Sequence, residues 1–257
     1  MTAILQKTIP YNPLVERKLP GIQPLAPDGW LTVDDAYAGQ MAERERLLAA
    51  RRDEVLRLDA SAMAAAQELL QMALEVMDPK AEDTVLRPDG VRAAVDREDP
   101  LGTLGRIAQQ DFCILQRPDG AEEHVLTGAV LCFPASWTLA EKFLQPLTGI
   151  HVPVDSYGAG IAARVQRLFD GVQAGRPLWR FNALWYQDPA LFQPRSQNAP
   201  RLKPHGGRAE YLRSEKQVIM RLPQTRAVVF AIHTHVLARA DVMRQWGIQQ
   251  EEPGARP

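Results

Sequence analysis

Two cysteines in 257 residues, Cys113 and Cys132, are too few for a disulfide framework, and each lies in an apolar run rather than in a paired ligand spacing. They read as buried free thiols, and an iron–sulfur cluster held by four thiolates is excluded. No run of 18 uncharged apolar residues occurs, so no membrane-spanning helix is expected. The opening residues lack the basic, apolar and small-residue succession of a secretory leader, so the expected location is the cytoplasm. An excess of one charge is missing too. With 30 Lys plus Arg against 31 Asp plus Glu, nothing in the balance draws the chain to nucleic acid or to an anionic membrane.

What is present is organised around a late change of period. Pro10, Pro13, Pro20, Pro24 and Pro27 make residues 1–29 an extended arm. Thr32 and Asp35 have capping-box spacing for a charged helix of roughly six turns. Tyr37, Met41, Leu48 and Val55 mark its buried stripe, and the charges from Glu43 to Arg52 read as its solvated face. A second helix carries Ala66, Leu69, Leu70, Ala73, Leu74 and Met77 and stops at Asp78-Pro79. Residues 80–100 read as a turn-rich loop, broken at Pro88-Asp89-Gly90 and Asp99-Pro100.

From Asp111 the alternation is that of strands. Asp111–Gln116 and His124–Phe133 flank a turn and predict a hairpin, with Gly128 as a candidate bulge. Thr138 and Glu141 open a short helix, and a longer one starts near Ser156 with Ile161, Val165, Leu168, Phe169 and Val172 on its apolar face. Strands follow at Leu178–Tyr186, Tyr211–Arg221 and Ala227–Leu237, the last two joined by a tight turn. The order hairpin, helices, three strands predicts an α+β fold. Its antiparallel five-stranded sheet has helices covering one face, the element order of a PAS domain. The expected division is 1–100 for the arm and helical extension, 101–240 for the PAS-like domain and 241–257 for a tail.

Several groups are candidates for chemistry. His151, between Gly149 and Pro153, enters just above the apolar helix face; a neutral imidazole at an apolar wall suits a haem or metal site and equally an ordinary buried histidine. Gly158 to Ala163 matches a dinucleotide fingerprint, but Pro153 interrupts the strand that should precede it, and Arg180 and Asn182 stand where the ribose-binding acid should be. His233 and His235, two apart on a strand, could hold non-haem iron, zinc or copper, with Glu215 and Gln217 on the neighbouring strand; no third ligand is visible, and a strand end reaching solvent is the plainer expectation. One face of the late strands carries Arg180, Asn182, Arg213, Glu215, Gln217 and Arg221, which fits a half-solvated sheet or a polar pocket wall. The proline-rich, basic loop from Gln187 to Arg208 is long enough to be functional.

The segments PLAPDGW, TGAVLCFPASWTLAEK, PLTGIHVPV, RFNALW and RSEKQVIMRLPQTRAVVFAIHTH together resemble the haem-dependent oxidative N-demethylase alpha-subunit family, from about residue 19 to 240. The resemblance implies a PAS-like fold that binds haem b through a histidine and uses O2 to demethylate a small secondary amine such as dimethylamine. Electrons would come from NADPH through FMN and a 2Fe-2S centre on a separate reductase subunit. On that footing His151 is the proximal iron ligand, and Arg180 and Arg221 are candidates for a haem propionate or for polarising O2. Glu215 is the candidate partner of the substrate ammonium, with Asn182 and Gln217 giving orienting hydrogen bonds. The resemblance leaves His233 and His235 unassigned. Alternatives are a haem-binding sensor or carrier without catalysis, and a haem-free binding subunit.

Overall fold

A computed structural model describes residues 3–15, 21–151, 159–196, 198–199 and 209–247, with main chain alone for residues 151 and 159–163. Among these residues the chain forms nine strands: β1 (Gln23–Pro24), β2 (Leu56–Leu58), β3 (Thr84–Leu86), β4 (Arg92–Ala94), β5 (Asp111–Gln116), β6 (Val125–Val130), β7 (Leu178–Tyr186), β8 (Tyr211–Arg221) and β9 (Val228–Ala238). The helices are α1 (Tyr37–Ala50), α2 (Arg52–Val55), α3 (Met63–Met77), α4 (Pro100–Ile107), α5 (Leu139–Lys142), α6 (Leu147–His151), α7 (Ala159–Gly171) and α8 (Arg239–Trp246).

All strands except β3 and β4 join one antiparallel sheet in the order β1-β7-β8-β9-β5-β6-β2. The five expected strands are there, and two short ones from the first sixty residues extend the sheet to seven: Gln23 and Pro24 pair with Trp179 and Leu178, and Leu56–Leu58 with Val130–Gly128. Both are edge additions too short for their own alternation to show, and a proline is tolerated at an edge. The hairpin register slips between Ile114 and Leu115, so the extra residue is Thr127, beside the expected Gly128.

Alternation in the strands feeds two cores. Phe112, Ile114, Val229 and Ala231 point to one side, where Leu47, Leu69 and Leu104 of α1, α3 and α4 cover them. Cys113, Leu115, Ile219 and Ile232 point to the other, under Leu139 of α5, Leu147 of α6 and Phe169 of α7. Both cysteines are free and buried, as expected, and burial pushes the Cys132 thiol up to about 12.

The early helices differ from expectation in instructive ways. Helix α1 has 14 residues, and no Thr32–Asp35 box starts it: Asp34 Oδ1 accepts the Ala36 N–H at 3.0 Å, and Asp35 accepts that of Lys7 at 2.9 Å. Its charges do not all face water. Arg44 is fully buried and donates to Asp111 Oδ1 at 2.6 Å and to the Gly105 carbonyl at 3.0 Å; Asp111 also takes the Cys132 and Phe133 N–H groups at 2.8 and 2.9 Å. The 80–100 stretch contains a hairpin, β3–β4, and Asp99-Pro100 begins a helix: Asp99 accepts the Gly102 N–H at 3.1 Å, with proline in the first turn of α4. Helix α8 occupies the start of the expected tail.

Candidate functional site

On the α5–α7 side, the half of the sheet toward the start of β8 carries polar side chains in place of apolar ones. Register brings them together: Arg180 of β7 lies opposite Gln217 of β8, and Asn182 opposite Glu215, which in turn faces Thr234 of β9. Glu215 is the hub. Its Oε2 accepts from Asn182 Nδ2 at 3.0 Å and from Gln217 Nε2 at 3.1 Å, and its main-chain N–H donates to Asn182 Oδ1 at 3.1 Å. Arg213 Nε stands 3.8 Å from Glu215 Oε1, while its two terminal nitrogens donate to the Leu191 and Phe133 carbonyls at 2.9 and 2.6 Å. Burial draws the Arg180 guanidinium below its ordinary value against the opposing charge of Glu215.

This cluster is not closed on itself. Arg180 Nε, Arg213 Nε and Thr234 Oγ1, all on this face, are buried without a hydrogen-bond partner among the described residues. Each such atom costs about 1–3 kcal/mol if nothing completes it. A face with two guanidinium donors, a hydroxyl and an anchored carboxylate has the chemistry to meet charged or polar ligand groups.

Of the residues expected at the site, Arg180, Asn182, Glu215 and Gln217 meet there. Arg221 does not join them. It lies at the far end of β8, and its guanidinium is spent on carbonyls at the end of α7: Phe169, Asp170 at 3.3 Å and Val172 at 2.7 Å, with that of Arg226 at 2.6 Å. A cation at a helix C-terminus satisfies orphan carbonyls and the negative end of the helix dipole. His151 ends α6, whose Leu147 and Ile150 pack into the core on the site's own side of the sheet; its side chain, like the 152–158 segment that follows, lies outside the described residues. Arg213 is the member without an expected role, although its alternation on β8 puts it beside Glu215 as plainly as Gln217.

His233 and His235 do not reach solvent. They are 1% and 0% exposed, and they point to the opposite face of the sheet from Glu215 and Gln217. His233 Nε2 is 2.8 Å from Asp34 Oδ2, an oxygen that also accepts from Gln6 at 2.9 Å. Gln109 donates to Asp34 Oδ1 at 2.6 Å. Burial would raise Asp34, but the hydrogen bond and charge of His233, helped by Gln109 and Gln6, hold it well below the usual carboxylate range. Burial, then the neighbouring His233, pushes His235 well below the ordinary imidazole value of 6.5. Nothing in the local sequence joins Asp34 to residues 199 positions away.

The fold is of the α+β class, an antiparallel sheet with helices packed on it and a charged cluster on one face. Within that class, the sequence matches over residues 21–251 the family described as haem-dependent oxidative N-demethylase, alpha subunit-like, and the chain belongs to that family. The description is of an alpha subunit, which implies a partner subunit. No helix among the described residues is long and apolar enough to cross a membrane.

Proposed function

We propose that this chain is the haem b-binding subunit of an oxidative N-demethylase acting on a small secondary amine of the dimethylamine type. The observation that carries this reading is Glu215: a carboxylate fixed by Asn182 and Gln217 beside Arg180 and Arg213 nitrogens that have no hydrogen-bond partner among the described residues. Two further features support it. Strands β5 to β9 lie in the spatial order β6-β5-β9-β8-β7 with α5–α7 inserted after the second, in keeping with a PAS-like domain. His151, in the segment that resembles the family's histidine block, ends a helix packed on the same side of the sheet.

In this proposal His151 ligates the iron, and Arg180 holds a propionate or a polar ligand on the open side. Haem, once bound, supplies oxidation by O2 and two electrons from an NADPH-, FMN- and 2Fe-2S-dependent reductase subunit, releasing the methyl carbon as formaldehyde. Glu215 binds the alkylammonium, since a half-buried carboxylate that has lost part of its water is stabilised by a cation. Asn182 and Gln217 hold one carboxylate oxygen, which leaves Oε1 to point at the substrate nitrogen. Arg213 Nε stands 3.8 Å from that oxygen, an opposite charge beside the carboxylate.

The test is amine-dependent NADPH consumption by the haem-loaded chain with its reductase. Consumption coupled one to one to formaldehyde supports the proposal. Haem binding with no amine-dependent turnover makes the chain a sensor or carrier instead.

A further inference from the structure

On the opposite face of the sheet, three metal-ligating side chains meet: one ligand atom from each of Asp34, His233 and His235 lies within 4.8 Å of the others. The two Nε2 atoms approach the same carboxylate oxygen, His233 at 2.8 Å and His235 at 3.9 Å, and the rings are 4.5 Å apart between centroids. An ordinary Asp–His pair explains two of these groups. It does not explain the third, because His235 Nε2 is buried without a hydrogen-bond partner among the described residues and lies 3.9 Å from an oxygen too distant to accept from it.

We infer that Asp34 Oδ2 and the Nε2 atoms of His233 and His235 bind one divalent transition-metal ion of the zinc class. Two imidazoles and a carboxylate are a borderline donor set that suits zinc, cobalt(II) or iron(II) and does not suit calcium or magnesium. Ligands around a tetrahedral zinc stand roughly 3.4 Å apart, so separations of 2.8 and 3.9 Å straddle the value required. Ligation through Nε2 puts the ring hydrogen on Nδ1, and a polar partner stands behind each ring. The Tyr11 hydroxyl is 3.4 Å from His235 Nδ1; the Gln110 side-chain amide, 3.2 Å from His233 Nδ1, presents its oxygen there only by turning end for end, which gives up its 2.9 Å hydrogen bond to the Thr32 carbonyl. Gln6 and Gln109 already orient the carboxylate. Lys216, cross-strand from His233, directs its ammonium to the Gly29 carbonyl at 3.0 Å and Thr32 Oγ1 at 3.1 Å.

The ion ties the segment around Asp34 to β9, a role in holding the fold, on the face away from the amine site. The test uses the full-length chain, stripped with chelator and titrated with cobalt(II), in haem-free and haem-loaded forms alike. One ion per chain with tetrahedral ligand-field absorption, displaced by zinc, is expected in both forms. Asp34→Asn and His235→Gln should each weaken uptake by tenfold or more. Should either variant fail to fold, the spin-echo spectrum of the copper(II)-loaded wild type decides the question: couplings to two imidazoles support the site, and their absence overturns it. Absence of stoichiometric uptake by the wild type, or uptake undiminished in both folded variants, also overturns the inference. Because the haem-free form is included, failure of the amine reaction does not affect the result.

Discussion

At the scale of single residues, charged side chains lie on inner faces of the sheet, and the proposed chemistry rests on those around Glu215. Glu215→Gln keeps the size of the side chain and removes its charge. It should weaken amine binding on the order of 100-fold, the cost of losing a half-buried charge-assisted contact, while leaving haem content and the far-ultraviolet spectrum unchanged. Asp111 makes a different point. Its carboxylate holds Arg44 and two main-chain N–H groups with both side chains at 0% exposure, so Asp111→Ala strands a buried guanidinium. A loss of about 3–5 kcal/mol is expected, read from the urea midpoint. The buried histidines set a pH dependence. His124 and His235 both lie below the ordinary value of 6.5 through burial, so near pH 6.5 and below the unfolded chain takes up protons that the folded chain refuses. Stability, measured with chelator present, should therefore fall as pH drops below about 6.5, and His235→Gln should reduce that slope between about pH 6.5 and 5.

Elements divide between those that announce themselves and those fixed by tertiary contacts. Strands β7 and β8 are legible to the residue, because nine and eleven residues of alternation leave little freedom in period. Three-residue strands such as β2, β3 and β4 carry too few positions for any period to emerge. Helix α4 is legible in two ways: Asp99 before Pro100 looks like a break from one side and like a capped helix start from the other. Arg221 shares the site's face of β8 by alternation, but the strand is long enough for its two ends to serve different elements. Arg221→Gln should leave the haem spectrum and amine response intact, speed amide exchange at the end of α7 and lower stability by about 1–2 kcal/mol. The β8–β9 turn depends in the same way on a distant side chain. Glu68 of α3 accepts the N–H groups of Gln224 and Thr225 at 2.6 and 2.8 Å and the Thr225 hydroxyl at 2.5 Å. Glu68→Ala should cost about 2–3 kcal/mol and unprotect both amides to hydrogen exchange.

For the whole molecule, the sheet separates two polar centres by one layer of backbone. One face, under α5–α7, gathers Arg180, Asn182, Arg213, Glu215 and Gln217; the other gathers Asp34, His233 and His235. The first is legible in the sequence because its members share two adjacent strands and pair in register. The second is half legible, two histidines without their acid, since the acid comes from a segment 199 residues earlier that only the folded chain brings near. The central claim is that the first centre binds haem beside an alkylammonium. It is tested most directly by reconstituting the full-length chain with haem and titrating it with dimethylamine while recording the visible absorption spectrum. One haem per chain and a saturable spectral change are predicted, with the change lost in Glu215→Gln and the haem lost in His151→Ala. A chain that takes up no stoichiometric haem, or a haem spectrum indifferent to the amine, would contradict the claim.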